Sequence, residues 1–190
     1  HPERTIYTQG NPVNAPGCID QSVKFNGKAQ YLDLGRKVGM CKDNLDYCYK
    51  GFTTRLRIKP EQLRSNQWFV SSAPLDVYYK SGRLFADFRT PRKQWTVSSS
   101  ELSPHVWNLV DLSWHPVDGA KMFINGKRVD YTMTGSINSG EYDTRRRFYI
   151  GRTDTDMKNE LYPDASLDDF RMYNGRWEYL HWRGILDFDF

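Results

Sequence analysis

Apolar residues in this chain recur at every second position, in many short runs. In Gly51–Pro60, the side chains of Phe52, Thr54, Leu56 and Ile58 alternate with polar or charged ones. Successive side chains of a β-strand point to opposite faces, so this pattern predicts a strand with one buried and one exposed face. A chain made of such runs can fold only by packing sheets against each other.

Similar runs follow and are separated by turn signals. We predict strands over Val23–Phe25, Tyr31–Leu34, Trp68–Ser72, Leu75–Lys80, Arg83–Arg89, Trp107–Trp114, Lys121–Ile124, Lys127–Tyr131, Phe148–Gly151 and Ser166–Tyr173. Lys80-Ser81-Gly82 and Asn125-Gly126 indicate hairpins. Only Arg176–Arg183 could form a helical turn or two. The sequence therefore predicts an all-β, antiparallel two-sheet β-sandwich.

Size and charge narrow the class of partner. The 190 residues fit one domain, and a net charge of +4 is too small for a dedicated nucleic-acid-binding face. No run approaches the roughly 18 apolar residues of a membrane helix, so membrane contact is expected only through a parent protein. The prolines at 2, 12 and 16 mark residues 1–17 as an N-terminal arm, which leaves 18–190 as the domain.

Three cysteines indicate the compartment. Cys41 and Cys48 lie close together in a polar, turn-rich segment, and we predict that they form a local disulfide. Such a bond indicates an oxidising, extracellular environment. Cys18 is left over, either as a free thiol, as a partner for a cysteine outside the chain, or as a small buried apolar residue.

Several segments together resemble one family in their order and spacing. They are Val23–Gly35, Gly51–Thr53, Trp107–Trp114, Phe123–Lys127, Phe148–Gly151 and Ser166–Asn174. Over roughly residues 18–180 they resemble laminin G-like and pentraxin-like domains of the concanavalin A-like lectin/glucanase fold. The resemblance implies jelly-roll topology, and a cysteine pair just before Gly51 also occurs in some animal members.

The comparison with pentraxins implies a specific substitution. Pentraxins join two strands by a disulfide, and the matching positions here are Arg55 and Asp111. Both fall on the outer face of their predicted strands. We predict a cross-strand ion pair in place of the disulfide, worth about 0–1 kcal/mol if it is exposed.

The resemblance also implies a calcium site. Pentraxins bind calcium partly through the loop after the strand that matches Phe148–Gly151, which is here Arg152–Asp164. Calcium binds six to eight oxygens, usually including several carboxylates. The candidate ligands are Asp154, Asp156 and Asp164, with Asp76 from an earlier loop. The segment departs from the pentraxin pattern residue by residue, so a solvated acidic loop is the alternative.

One dense basic run suggests an anion site. Guanidinium groups pair with sulfate and carboxylate, so heparan-type glycans or an acidic protein partner would suit it. The candidate ligand-binding residues are Arg145, Arg146, Arg147 and Arg152, to which Arg89, Arg92 and Lys93 could add. A charged, solvated surface is the alternative.

The middle strands carry a third candidate. Exposed aromatic rings on a sheet face could stack on sugars, but a sandwich core needs large aromatics, so we predict that most of this set is core. The set is Trp68, Tyr78, Tyr79, Phe85 and Trp95.

Signals for catalysis are missing from the sequence. The four histidines show no metal-binding spacing, and Gly-x-Ser-x-Gly and Glu-x-Asp-x-x-Glu motifs are absent. Asp168 and Asp169 are adjacent in a strand, so they are expected to point to opposite faces. We therefore expect a protein that is not an enzyme.

These observations lead to a ranked functional prediction. The first is an extracellular recognition or adhesion module of a larger cell-surface or matrix protein, binding a protein partner through an exposed apolar patch. The second is a lectin-like module that binds acidic glycans through calcium or through the arginine run. A carbohydrate-active enzyme is the third, and it would need two carboxylates paired in a groove.

Overall fold

A computed structural model of the chain describes residues 7–18, 21–36, 43–138, 142, 146–153 and 161–182. A 3-10 helix spans Leu45–Tyr47 and an α-helix, α1, spans Trp177–Trp182. The strands are β1 (Tyr7–Gln9), β2 (Val13–Pro16), β3 (Gln21–Asn26), β4 (Tyr31–Arg36), β5 (Phe52–Gln62), β6 (Gln67–Ser71), β7 (Leu75–Lys80), β8 (Arg83–Arg89), β9 (Lys93–Ser99), β10 (Asn108–His115), β11 (Gly119–Ile124), β12 (Lys127–Thr132), β13 (Ser136–Ile137), β14 (Arg147–Ile150) and β15 (Asp164–Asn174).

The strands form two antiparallel sheets. One has eight strands in the order β1-β4-β14-β6-β7-β8-β9-β13, and the other has seven in the order β12-β11-β10-β5-β15-β3-β2. Neighbours in both sheets include strands distant in sequence, as the jelly-roll topology requires. The predicted fold class, an all-β jelly-roll sandwich, is confirmed.

The core lies between the two sheets and is built by alternate residues. In β5, Phe52, Leu56 and Ile58 point inward and are fully buried. On the opposite sheet, Val77 of β7 and Phe88 of β8 do the same. Because the strands alternate, the residues between these positions form the outer faces of the sandwich.

Two tight turns fix the register of the central hairpins. Ser81 and Gly82 join β7 to β8 with φ angles of 49° and 81°, and Lys80 pairs with Arg83. Positive φ at both central positions is the turn that matches the twist of paired strands. This register places Asp76 opposite Asp87. The predicted hairpin is confirmed, and so is the one at Asn125-Gly126, where Ile124 pairs with Lys127.

The structure adds elements that the sequence did not predict. β9 was missed because only Trp95 and Val97 mark its buried side. β1 and β2, within the predicted N-terminal arm, pair with β4 and β3, so the described part of that arm belongs to the sandwich. Helix α1 lies inside the predicted helical range. No helix in the described residues has the length and apolar character to cross a membrane.

The predicted ion pair between Arg55 and Asp111 is confirmed. The two residues are directly opposite each other in β5 and β10. Arg55 Nε lies 2.8 Å from Asp111 Oδ1, and Arg55 Nη2 lies 3.0 Å from Asp111 Oδ2. Trp177 of α1 covers the pair and donates from Nε1 to Asp111 Oδ2 at 3.1 Å. The pair is buried, so the value expected for an exposed pair does not apply.

Candidate functional site

Three aromatic rings stand side by side on the outer face of the eight-stranded sheet. Trp68, Tyr78 and Phe85 come from β6, β7 and β8. The centroids of Trp68 and Tyr78 are 4.8 Å apart, and those of Tyr78 and Phe85 are 5.4 Å apart. These spacings exceed the roughly 3.5–4.0 Å of carbon–carbon contact, so the stacked rings are offset from one another. We call these three residues the aromatic row.

The aromatic row corrects the prediction that most of this set is core. Trp95 is buried in the core, and Tyr79 packs against it. Trp68, Tyr78 and Phe85 are only half-buried, because they occupy the outward positions of their strands. The core does not need these three aromatic rings, because Phe and Leu side chains from other strands already fill it.

Two carboxylates lie beside the aromatic row. Asp76 of β7 and Asp87 of β8 are directly opposite each other. Each lies two residues along its strand from Tyr78 or Phe85. Directly opposed residues on one face have Cβ atoms about 4.5–5.5 Å apart. Asp76 is 2% exposed and Asp87 is 7% exposed. The outer face of this sheet therefore carries a buried pair of acids.

Asp76 is neutralised by two arginines. Arg89 Nη1 lies 2.6 Å from Asp76 Oδ2, and Arg146 Nη2 lies 3.5 Å from Asp76 Oδ1. Burial alone would lower the pKa of Arg89, but the carboxylate of Asp76 outweighs it, and the pKa of Arg89 is raised. Asp76 therefore belongs to a buried cluster with two guanidinium groups.

Asp87 has hydroxyl partners instead of cations. Tyr78 Oη donates to Asp87 Oδ2 at 3.1 Å, and Thr96 Oγ1 donates to Asp87 Oδ1 at 2.6 Å. Among the described residues no cation lies within salt-bridge distance of it. Burial raises the pKa of Asp87, and the nearby charge of Asp76 adds to the effect. Asp87 therefore keeps its proton to a higher pH than a carboxyl group in water does.

Sequence reasoning did not identify Asp87, although a signal for it exists. The two-residue turn at Ser81-Gly82 fixes which residues of β7 and β8 are opposite each other. Counting outward from the turn pairs Tyr78 with Phe85 and Asp76 with Asp87, as the structure shows. Thr96 could not be found this way, because the longer β8–β9 connection leaves the register open.

The predicted arginine site is divided among separate partners. Arg146 donates to Ser71 Oγ at 2.8 Å and contacts Asp76. Arg147 lies 2.7 Å from Asp33. The guanidinium of Arg152 lies over the rings of Tyr31 and Tyr149, at 4.8 and 4.9 Å from their centroids. Arg145 is outside the described residues, and anion binding by the run stays a prediction.

The candidate calcium ligands are distributed over both sheets. Asp76 lies within β7 and not in a loop, which corrects the prediction, and its carboxylate is occupied by Arg89 and Arg146. Asp164 begins β15 in the other sheet. Asp154 and Asp156 lie outside the described residues. Where residues are described, no cluster of three or more His, Cys, Asp or Glu could hold a metal ion. Calcium binding stays a prediction.

The cysteines give one result. Cys18 is exposed and free, so the alternative of a buried apolar residue is wrong. Its backbone N–H donates to Asp168 at 2.8 Å. Cys48 is buried, and Cys41 lies outside the described residues, so the disulfide between them stays a prediction.

The chain belongs to the concanavalin A-like lectin/glucanases superfamily. A laminin G-type family model with that description matches residues 5–177. This confirms the resemblance inferred from the sequence motifs. No curated protein sequence gives a significant match.

Solved structures share the fold at low sequence identity. The binding domain of botulinum neurotoxin DC, in complex with rat synaptotagmin II, has a TM-score of 0.65 and 11% identity, over 90% of this chain and 43% of that one. A structure of botulinum neurotoxin type C, whose cell entry depends on two ganglioside molecules, has a TM-score of 0.69 and 11% identity, over 97% and 47%. The chain thus spans less than half of these toxin structures.

A third neighbour is closer in size. Domain 4 of the extracellular arabinanase AbnA from Geobacillus stearothermophilus, in complex with arabinotriose, has a TM-score of 0.59 and 17% identity. The match covers 90% of this chain and 82% of that domain. At these identities the neighbours establish the fold alone.

Proposed function

We propose that this chain is a recognition module that binds a glycan on the outer face of its eight-stranded sheet. The observation that carries the proposal is the aromatic row beside a buried, hydrogen-bonded acidic pair. Sugars present apolar C–H faces, which pack on aromatic rings, and hydroxyls, which need fixed polar partners. The aromatic row supplies the first, and the hydroxyls of Tyr78 and Thr96, which Asp87 holds in place, supply the second.

We propose binding without hydrolysis. Asp76 and Asp87 do provide two carboxylates on one face, which a glycosidase would require. Asp76, however, is engaged by two arginines, and both carboxylates are buried beneath their neighbours. A nucleophile or general base needs access to the sugar or to water, so this geometry favours orientation of a ligand over chemistry on it.

The neighbours and the cysteines support the proposal indirectly. One structural neighbour holds arabinotriose, and another belongs to a toxin that interacts with gangliosides. The predicted disulfide between Cys41 and Cys48 supports an extracellular location. We propose that the module belongs to a secreted protein or an ectodomain.

The test is a glycan array probed with the whole chain, once with calcium and once with EDTA. We expect binding in both arms. The Trp68→Ala variant should bind at least about tenfold more weakly, because a ring contact worth about 1.4 kcal/mol is lost. Trp107→Ala is the matched control, since Trp107 contacts Lys59 and is not part of the aromatic row.

Other outcomes of the array would overturn this assignment. Binding that EDTA abolishes would move the site to the 154–164 segment. Binding that weakens with salt but is indifferent to Trp68→Ala would move it to the arginine run. Release of shortened glycan would show that the module is an enzyme.

A second candidate is a protein partner, and one surface favours it. Tyr131, Met133 and Ile137 are exposed within a few residues of each other. Ile137 belongs to β13, which pairs only with β9 in the described part of the eight-stranded sheet. A free strand edge beside exposed apolar side chains suits an added partner strand. An array with no binding would leave this candidate ahead, with Ile137→Asp as the variant that should abolish partner binding.

A further inference from the structure

A second concave site lies away from the aromatic row. A cavity of about 350 Å³ opens between the 3-10 helix, the β8–β9 turn and β10. Trp95 and Trp114 line it together with Leu45, and Tyr49, Arg92 and Lys93 also contribute to its wall. It shares no residue with the aromatic row. Its volume is at the small end of the roughly 300–1,000 Å³ of ligand pockets, so it suits one compact group and not a chain.

Both tryptophans in this cavity have unsatisfied donors. Trp95 is 6% exposed and Trp114 is 2% exposed, and within the described part of the chain neither Nε1 has a hydrogen-bond partner. Their rings are 5.3 Å apart at 71°, so the edge of one faces the other. In that arrangement only one N–H can be directed at a ring face, and such a contact is weak. At least one buried donor is left without an acceptor, which is uncommon in native proteins.

The charges at the cavity complement those donors. Arg92 and Lys93 are exposed, and the described residues give neither side chain an ion pair. Asp46 is the one carboxylate among the described residues of the wall, so these residues do not fully balance the two cations. A ligand that brings hydrogen-bond acceptors and negative charge would satisfy both the indoles and the cations.

We infer that this cavity binds the carboxylate-bearing unit of an acidic glycan, such as a uronic acid residue. The sugar contacts the parts of the indoles that line the cavity, and its carboxylate lies toward Arg92 and Lys93 and accepts from an indole Nε1–H. Both Nε1 atoms are buried in the unliganded chain, so the ring that donates must turn towards the cavity as the ligand enters. This inference assigns a second site, separate from the one proposed above. It predicts that the module selects acidic sugars.

The test is a titration of the ¹⁵N-labelled chain with methyl glucuronide, followed through the tryptophan indole resonances. We expect the Trp95 or Trp114 Nε1–H resonance to move downfield, as hydrogen bonding to a carboxylate requires. Assignment comes from the Trp95→Phe and Trp114→Phe variants. Methyl glucoside, which lacks the carboxylate, should leave both resonances in place.

Variants on the cavity wall give a second, independent readout. Arg92→Ala combined with Lys93→Ala should weaken methyl glucuronide binding at least about tenfold, because charged hydrogen bonds are lost. Both side chains are exposed, so the variant should fold. Lys80→Ala combined with Arg83→Ala makes the same charge change at exposed positions outside the cavity, and it should bind as the unmodified chain does.

Three outcomes would overturn the inference. Methyl glucuronide could move neither indole resonance. It could move only the Trp68 resonance, in which case the sugar lies on the aromatic row and the proposed function stands without this second site. An acetylated glutamate peptide could move the two resonances where the glucuronide does not, and the cavity would then take an acidic peptide.

Discussion

Asp111 is held by three donor groups, two from Arg55 and one from the indole of Trp177. A buried carboxylate is tolerated only when its lone pairs are filled in this way. Where pentraxins join the two strands covalently, this chain joins them by a bidentate ionic contact. The contact can be broken from either side, which makes its contribution measurable.

Removal of one partner from this pair should be costly. Arg55→Met leaves Asp111 buried without its main counter-charge, and we expect the free energy of unfolding to fall by about 3–5 kcal/mol. The double variant Arg55→Met with Asp111→Leu removes both charges and should recover most of the loss. Urea unfolding of both variants checks this. A double variant as unstable as the single one would contradict the prediction.

Asp87 makes stability depend on pH. Burial raises the pKa of Asp87 in the folded state above its ordinary value of about 3.9. Between those two values the folded protein binds the proton more tightly than the unfolded chain does, so stability falls as pH rises. The contribution is fully present below about pH 3.9 and is lost once the pH has risen through the folded pKa.

Asp87→Asn should remove this dependence. We expect the difference in unfolding free energy, variant minus unmodified chain, to grow as pH rises above about 4 and then to level off. Urea unfolding across the pH range measures it. Asp118→Asn is the control of opposite sign, because a hydrogen bond from Arg176 lowers the pKa of Asp118. That variant should lose stability at neutral pH and match the unmodified chain in acid.

Among the elements, α1 is too short to be stable alone. A six-residue helix in water lacks enough hydrogen bonds to offset its nucleation. Its position comes from Trp177, whose backbone N–H donates to Ser113 Oγ at 2.9 Å. The ring of Trp177 also stacks on Phe123 with centroids 4.1 Å apart. Trp177 is therefore a main attachment of the helix to the seven-stranded sheet, beside the ion pair of Glu178 with Lys121 and the buried side chain of Leu180.

Trp177→Phe should separate the two roles of that side chain. The phenyl ring keeps the stacking on Phe123, but the donor to the charged Asp111 is lost, which should cost about 1.5–3 kcal/mol. Thermal and urea unfolding measure the loss. Trp107→Phe should be close to neutral, because the described residues give the Trp107 indole no such hydrogen bond. A near-neutral Trp177→Phe would show that the indole N–H contributes little to the pair beneath it.

The sequence predicts those strands and turns whose signal lies in their own residues. The strands with clear alternation and the two hairpins were found, because the turn residues themselves carry the signal. β9 was not, since most of its outward residues are polar and only Trp95 and Val97 mark its buried side. The irregular register between Trp68 and Val70 is invisible in the sequence. Because the irregularity cannot be foreseen, counting residues from the turn does not predict that Trp68 lies opposite Tyr78.

Viewed as a whole, the molecule has two unlike faces. On the seven-stranded sheet, Trp177 covers the central charged pair. On the eight-stranded sheet, the aromatic row is half-exposed and the acidic pair is buried beside it. Sequence reasoning identified the aromatic candidates and Asp76 but not their grouping, because the grouping depends on pairings between strands. The arginine run looked unpaired in the sequence, because its carboxylate partners come from distant strands. In the structure, Asp33 engages Arg147 and Asp76 engages Arg146.

The cysteines offer a simple check of the compartment. Cys18 is exposed and free, and Cys41 and Cys48 are predicted to be bonded. Alkylation of the native chain should therefore add one adduct, and alkylation after reduction and unfolding should add three. Intact-mass measurement reads both. Three adducts under non-reducing, denaturing conditions would exclude the disulfide and weaken the case for an extracellular module.

The direction of the aromatic row has a geometric consequence. Its three rings come from three neighbouring strands, so a ligand that lies along them crosses the strands at a right angle. Strands are about 4.8 Å apart, so the row of three rings is about 10 Å long. Affinity for an oligosaccharide series should then rise over the first few sugar units and stop rising once the oligosaccharide is longer than the row. The sheet would thereby measure its ligand by the width of three strands.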